Sequence, residues 1–172
     1  MTKYVAFLRA VNVGGTKIIK MDELRKLFDS FGHRNVETFI QSGNVIFDAK
    51  DSRTLEAKLE NQLEKALGYK TEIFLRSVEE VDRITKQHRL EPRENETLHV
   101  VFLKSEPEKS QIESLKQYNS AADEFAVVGR EVYNLRHDRD RSIFSNSFIE
   151  KIFGTATTRN MTTVRKILEK YR

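Results

Sequence analysis

From Lys3 to Val11 the side chains sort into two alternating sets, Val5, Phe7 and Arg9 against Tyr4, Ala6 and Leu8, which predicts a strand. The spacing then changes. Leu24, Leu27, Phe28 and Phe31 fall at i, i+3, i+4 and i+7, one face of a helix, and Gly32 follows as its stop. Val36–Ile40 and Val45–Phe47 read as two strands joined through Gln41-Ser42-Gly43-Asn44, a hairpin signal. Leu55, Leu59, Leu63 and Leu67 form a second helical stripe closed by Gly68, and Thr71–Leu75 is a fourth strand. The order β-α-β-β-α-β is the split βαβ arrangement of a ferredoxin-like sheet. Val5, Phe7, Leu24, Phe28, Leu59 and Leu63 are expected to share its core.

Ser77 with Glu80 has capping-box spacing and opens a helix running to about His88. Leu98–Leu103 is a strand, and Pro107 precedes a helix carrying Ile112, Leu115 and Tyr118. Phe125–Val128 and Val132–Leu135 flank Gly129-Arg130, a two-residue hairpin. Ile143–Phe153 is an apolar-rich helix ended by Gly154, and Val164, Ile167, Leu168 and Tyr171 mark a last helix. The second half thus reads βαββα and then a helix, where a closing strand would complete the pattern of the first. Val101-Phe102-Leu103-Lys104 echoes Ala6-Phe7-Leu8-Arg9, the trace expected of a decayed duplication. The fold expected is α+β, with a ferredoxin-like subdomain over residues 1–76 and a second α+β subdomain with C-terminal helices over 77–172.

Composition narrows the function. The 172 residues include no cysteine, which excludes a disulfide scaffold, a thiolate nucleophile and a cysteine zinc site. No run approaches the roughly 18 apolar residues of a membrane span, and the N-terminal apolar run is broken by Arg9, unlike a secretion signal. A cytoplasmic protein with no membrane partner is expected. The histidines His33, His88, His99 and His137 are scattered without ligand spacing, so neither a metal nor another cofactor is expected.

Charge is unevenly placed. Residues 1–50 hold 8 basic and 5 acidic side chains, residues 51–135 hold 13 and 17, and residues 136–172 hold 9 and 4. Both ends are basic, and if they meet they would attract an anion. The candidates sit there. Asn12-Val13-Gly14-Gly15-Thr16-Lys17 follows a strand and could bring backbone N–H groups to a phosphate, although it lacks P-loop spacing and also reads as a plain turn. Arg9, on a strand face with apolar neighbours, needs a structural carboxylate or a ligand anion. Ser42 and Asn44 lie in the hairpin, outside any nucleophile elbow. Arg141-Ser142 and the run Thr157–Thr163, with Arg159 and Asn160, offer arginine forks and hydroxyls, or simply helix caps. An RNA-recognition sheet would need aromatics on both central strands, and Phe47 is the sole aromatic of its strand.

The stretches Tyr4–Gly15, Met21–Arg25, Thr38–Phe47, Arg141-Ser142 and Ala156–Val164 together resemble the bacterial domain-of-unknown-function 1697 family across nearly the whole chain. The resemblance implies an α+β cytosolic protein and no particular reaction. Ala10 and Met161 stand where the family usually has glycine and tryptophan, and His137–Asp140 is more charged than the family's usual turn. The leading expectation is binding of a phosphate-bearing ligand, nucleotide-like or nucleic acid, by Arg9, Asn12, Gly14, Gly15, Lys17, Ser42, Asn44, Arg141, Ser142, Arg159 and Asn160 in a cleft between the basic ends. The alternative is a protein-interaction module presenting Phe144, Phe148 and Phe153 as an apolar patch. An enzyme, a transferase or hydrolase of a phosphorylated substrate, ranks third.

Overall fold

The computed structural model describes residues 1–9, 19–40 and 43–172. The chain divides into two compact units, Met1–Glu80 with Tyr171–Arg172, and Val81–Lys170.

The first unit contains β1 (Thr2–Leu8), α1 (Met21–Ser30), β2 (Arg34–Thr38), β3 (Asn44–Ala49), α2 (Leu55–Leu67) and β4 (Ile73–Ser77). Its antiparallel sheet has the order β2-β3-β1-β4, as a ferredoxin-like fold requires. The stripes predicted on the helices, Leu24 and Phe28 on α1 and Leu55, Leu59 and Leu63 on α2, are buried against Tyr4, Ala6 and Leu8 of β1 and Val45 and Phe47 of β3. The core therefore takes the opposite face of β1 from the one expected. Val5 and Phe7 are fully buried, but on the other side of the strand. Gly68 caps α2 in the left-handed conformation, with φ 81°, returning its N–H to the Glu64 carbonyl.

Helix α3 (Val78–Lys86) follows, its first turn capped by Ser77 Oγ, which accepts from the Glu80 N–H at 3.1 Å. The second unit then runs β5 (Thr97–Leu103), α4 (Lys109–Lys116), β6 (Asp123–Val128), β7 (Glu131–Arg136), α5 (Asn146–Phe153), β8 (Ala156–Asn160) and α6 (Met161–Tyr171). A closing strand is present where the sequence pattern showed none. β8 pairs antiparallel with β5, from Leu103 opposite Ala156 to His99 opposite Asn160, and completes a sheet of order β6-β7-β5-β8. Both units thus share element order and strand order, which fits the expected duplication.

One face of this sheet packs Val101, Leu103, Phe125, Val132 and Ala156 against Leu115 of α4 and Ile149 of α5. The opposite face carries Tyr133, whose hydroxyl donates to the Ile84 carbonyl and accepts from Gln87 Nε2, docking the end of α3. The β6–β7 turn is Gly129-Arg130, and Gly129 has the positive φ, 57°, that a two-residue hairpin needs. Helix α5 begins later than the apolar run suggested, at Asn146, because Ser145 is its N-cap and accepts from the Phe148 N–H at 3.0 Å. Ser145→Ala should cost about 1 kcal/mol, read as a lowered denaturation midpoint with unchanged slope. A change too small to measure would mean that packing alone sets this end of the helix.

Among the described residues no helix is long and apolar enough to cross a membrane.

Candidate functional site

The sequence-derived candidates fall in several places. Asn12, Gly14, Gly15, Lys17 and Ser42 lie outside the described residues. In the first unit, the Arg9 guanidinium is 3.8 Å from the Glu72 carboxylate. Asn44 is buried at the start of β3, where its side-chain amide donates to the Phe39 carbonyl at 2.9 Å and closes the hairpin. In the second unit, Arg159 is buried on β8. Its Nη1 donates to Thr157 Oγ1 and to the Thr158 carbonyl, both at 2.9 Å, and burial pushes its pKa down to about 10. Asn160 is exposed at the head of α6 and accepts from the Thr162 N–H. Arg141 is open, with 84% of its side chain exposed and Asp138 3.7 Å away.

Ser142 belongs to a polar cluster that the sequence did not signal. At its centre is Asp123, fully buried at the start of β6. Its Oδ1 accepts from Asn134 Nδ2 at 2.9 Å and from Ser142 Oγ at 2.7 Å, and its Oδ2 accepts from the Ile143 N–H at 3.0 Å. Strand alternation places Asp123, Asn134, Arg136 and His99 on one sheet face, with Asn134 directly opposite His99 and Asp123 opposite Arg136. Phe144 covers them: its ring centroid is 5.1 Å from that of His99 and 5.7 Å from the Arg136 guanidinium carbon. Burial, then the charge of Arg136, holds His99 far below the ordinary imidazole range, at about 4, against smaller upward pulls from Asn134 and Asp123. His99 is therefore neutral at pH 7.

Beside this cluster, His137 sits between two carboxylates. Its Nδ1 is 2.5 Å from Glu96 and its Nε2 is 3.0 Å from Glu124. The bond to Glu96, then that to Glu124, raises the imidazole pKa, and the same bond lowers that of Glu96. With both ring nitrogens engaged, His137 is a clasp and not a free base. Among the described residues no three histidine, aspartate or glutamate side chains are placed to hold a metal ion.

Helix α6 carries an adjacent pair of exposed cations, Arg165 and Lys166. The helix buries Met161, Val164, Ile167 and Leu168 and exposes Thr162, Arg165, Lys166, Glu169 and Lys170. That stripe follows from residues spaced three and four apart. Neither Arg165 nor Lys166 has a carboxylate partner among the described residues. Arg165 is near enough to His88, just beyond α3, to reinforce the lowering of its pKa that burial begins. The exposed Arg89 follows His88 directly in the chain, and Glu91 pulls the His88 pKa the other way. Sequence reading placed the final helix by its apolar stripe, and the complementary stripe of Arg165 and Lys166 was the available signal. Of the three phenylalanines expected as an exposed patch, Phe144 is buried and Phe148 and Phe153 are half-buried against the core.

A solved structure described as that of the conserved bacterial protein SP0830 from Streptococcus pneumoniae superposes with a TM-score of 0.69 at 21% sequence identity, covering 99% of each chain. That likeness establishes a common fold. A comparison with curated proteins finds no match. The matching family model spans residues 1–133, from β1 into β7. On that match the chain belongs to the family described as Protein of unknown function (DUF1697).

Proposed function

We propose that the protein binds a phosphate-bearing polyanion, a nucleic-acid strand, along the exposed face of α6. The observation that supports this most directly is the adjacent pair Arg165 and Lys166, solvent-facing and without carboxylate partners among the described residues. Backbone neutralisation by such cations supplies most of the affinity of non-specific nucleic-acid binding. Cations on an open helix face suit a polymer that lies across them, whereas a mononucleotide needs an enclosing pocket. The excess of basic residues over residues 136–172 favours the same reading, and the exposed Arg141 adds a further positive group in the same unit.

The test is fluorescence anisotropy of labelled single-stranded RNA and DNA and of duplex DNA, titrated with the full chain over a range of KCl concentrations. Affinity should fall with salt, with a log–log slope of about −0.7 for each single-strand phosphate neutralised. The Arg165→Glu/Lys166→Glu double variant should bind at least about tenfold more weakly. Lys109→Glu, a reversal on the exposed part of α4, should change binding less. Absence of binding at the lowest salt, or equal losses in both variants, would overturn the reading.

A further inference from the structure

We propose that two copies of the chain pair through the outer edge of β6, antiparallel about Val127, so that their second-unit sheets join into one. The inference concerns the second unit alone and does not depend on the nucleic-acid reading.

The first observation is that β6 is an open edge. A bare edge offers unpaired N–H and C=O groups to any other strand, and folds normally blunt it. β2 is bulged between Arg34 and Glu37 and carries Asn35 at a positive φ, 52°. On β4 the Leu75 N–H donates to Glu56 Oε2, and the Leu75 carbonyl accepts from Arg76 Nη1. On β8 the Ala156 N–H donates to Glu150 Oε2, the Ala156 carbonyl accepts from Asn146 Nδ2, and the Thr158 carbonyl accepts from Arg159 Nη1. β6 is blunted only over its first half. The Ala122 carbonyl accepts from the His137 N–H, which fixes the parity of the pairing. Glu124, Ala126 and Val128 therefore turn their backbone groups to β7, and Asp123, Phe125 and Val127 turn theirs outward. Ser120 engages both groups of Asp123, and Asn119 Oδ1 accepts from the Phe125 N–H at 2.7 Å. Beyond that point the Phe125 carbonyl, both groups of Val127 and the Gly129 N–H have no partner among the described residues. The strand has no proline, lysine or bulge there.

The second observation is that these open groups complement themselves. With Val127 opposite Val127 of a second copy, the two residues exchange both N–H···O bonds, and each Gly129 N–H meets the Phe125 carbonyl across the two-fold axis. Every open group is then used. The neighbouring register, with Phe125 opposite Val127, fails this test: the Phe125 N–H is already engaged by Asn119, and the Gly129 N–H is left over. The matched register also suits the side chains. Val127 meets its own copy on one face and Ala126 meets Val128 on the other, all three half-buried in the single chain. Glu124, whose Oε2 is not engaged by His137, comes opposite Arg130 of the second copy, a pair of opposite charge. Tyr118, 43% exposed and edge-on to Phe148, stands next to Asn119 at the end of the paired stretch and extends the apolar surface. A contact of this kind is isologous and closes at the dimer.

Sedimentation velocity of the full chain over a range of concentrations should show a reversible dimer of twice the 20.1 kDa chain mass. Val127→Pro removes the outward N–H without touching a bond to β7. It should weaken the dimer at least about tenfold, as expected for two lost hydrogen bonds, with the circular dichroism spectrum unchanged. Because the chain has no cysteine, Val127→Cys gives a second readout that does not require the proline variant to fold. Its two sulfurs face each other across the two-fold axis, with Cα atoms about 5.5 Å apart, within disulfide reach. Mild oxidation should link Val127→Cys into a covalent dimer. Lys151→Cys, exposed on α5 beside the opposite edge strand β8, should stay a monomer. A monomer at every concentration, a dimer undiminished in a folded Val127→Pro, or equal cross-linking of the two cysteine variants would overturn the proposal.

Discussion

Asp123→Ala should lose on the order of 3–5 kcal/mol of stability, the largest effect of any single polar substitution considered. The carboxylate is fully buried and accepts three hydrogen bonds, from Asn134, Ser142 and the Ile143 backbone. Deleting it leaves those donors facing a gap in an interior where each unsatisfied group costs roughly 1–3 kcal/mol. Asp123→Asn preserves volume but sets an amide N–H₂ against one or more donors, so it should also destabilise, by less. The measurement is denaturant unfolding of each variant, read from a probe in the second unit because two units need not unfold as one. A loss below about 1 kcal/mol in Asp123→Ala would show that water takes the place of the carboxylate.

The first unit was legible because its elements have contrasting periods. Leu55, Leu59 and Leu63 can only form one helical stripe, and Gly68 stops it. What the pattern could not show was which face of β1 meets the helices. Tyr4, Val5, Ala6, Phe7 and Leu8 are all buried, so no polar alternation remains to distinguish the sides. The missing strand of the second half has the opposite cause. β8 is Ala-Thr-Thr-Arg-Asn, polar enough to read as a capping segment, yet Thr157 and Arg159 are buried within it. Its β-branched Thr157-Thr158 pair and the incomplete repeat were the two available hints.

The candidate sites were legible to a smaller degree. Ser142 reads from the sequence as a hydroxyl beside an arginine fork or as a helix cap, and in the fold it bonds the buried Asp123 carboxylate, whereas Arg141 stays exposed beside Asp138. Asp123 could not be found this way. It opens the strand Asp-Glu-Phe-Ala-Val-Val beside Glu124, and only the pairing register decides that Asp123 turns inward while Glu124 reaches His137 at the surface. His99 and Asn134 are likewise opposed only after β5 and β7 pair across the 35-residue separation of their positions. Long-range pairing carries that information, and local spacing does not.

Stability of the second unit should fall steeply as pH drops from about 6.5 to about 4, with His99 as the main cause. Its folded pKa is about 4 against an ordinary value of 6.5, depressed by burial and by Arg136. Between those two values the unfolded chain holds a proton that the folded chain refuses, so stability rises with pH across that window and is lost as pH falls through it. A depression of this size corresponds to something on the order of 3 kcal/mol. His88, in the same unit, is lowered too, chiefly by burial, and acts in the same direction. The His137 clasp behaves differently. Its raised imidazole pKa gives a contribution complete below about 6.5 and lost as pH rises through the folded value, while the lowered Glu96 pKa gives one complete above 4.5 and lost on acidification. The clasp is therefore strongest between those limits and cannot account for losses that begin near 6.5. Unfolding free energies measured from pH 3.5 to 8 on the native chain and on His99→Gln separate the two, since the variant should lose most of the slope between 6.5 and 4 and keep the alkaline behaviour. A titration of the His99 ring followed by NMR gives the direct check. An imidazole that protonates near 6.5 in the folded protein, or equal acid slopes in the two proteins, would place the acid sensitivity elsewhere.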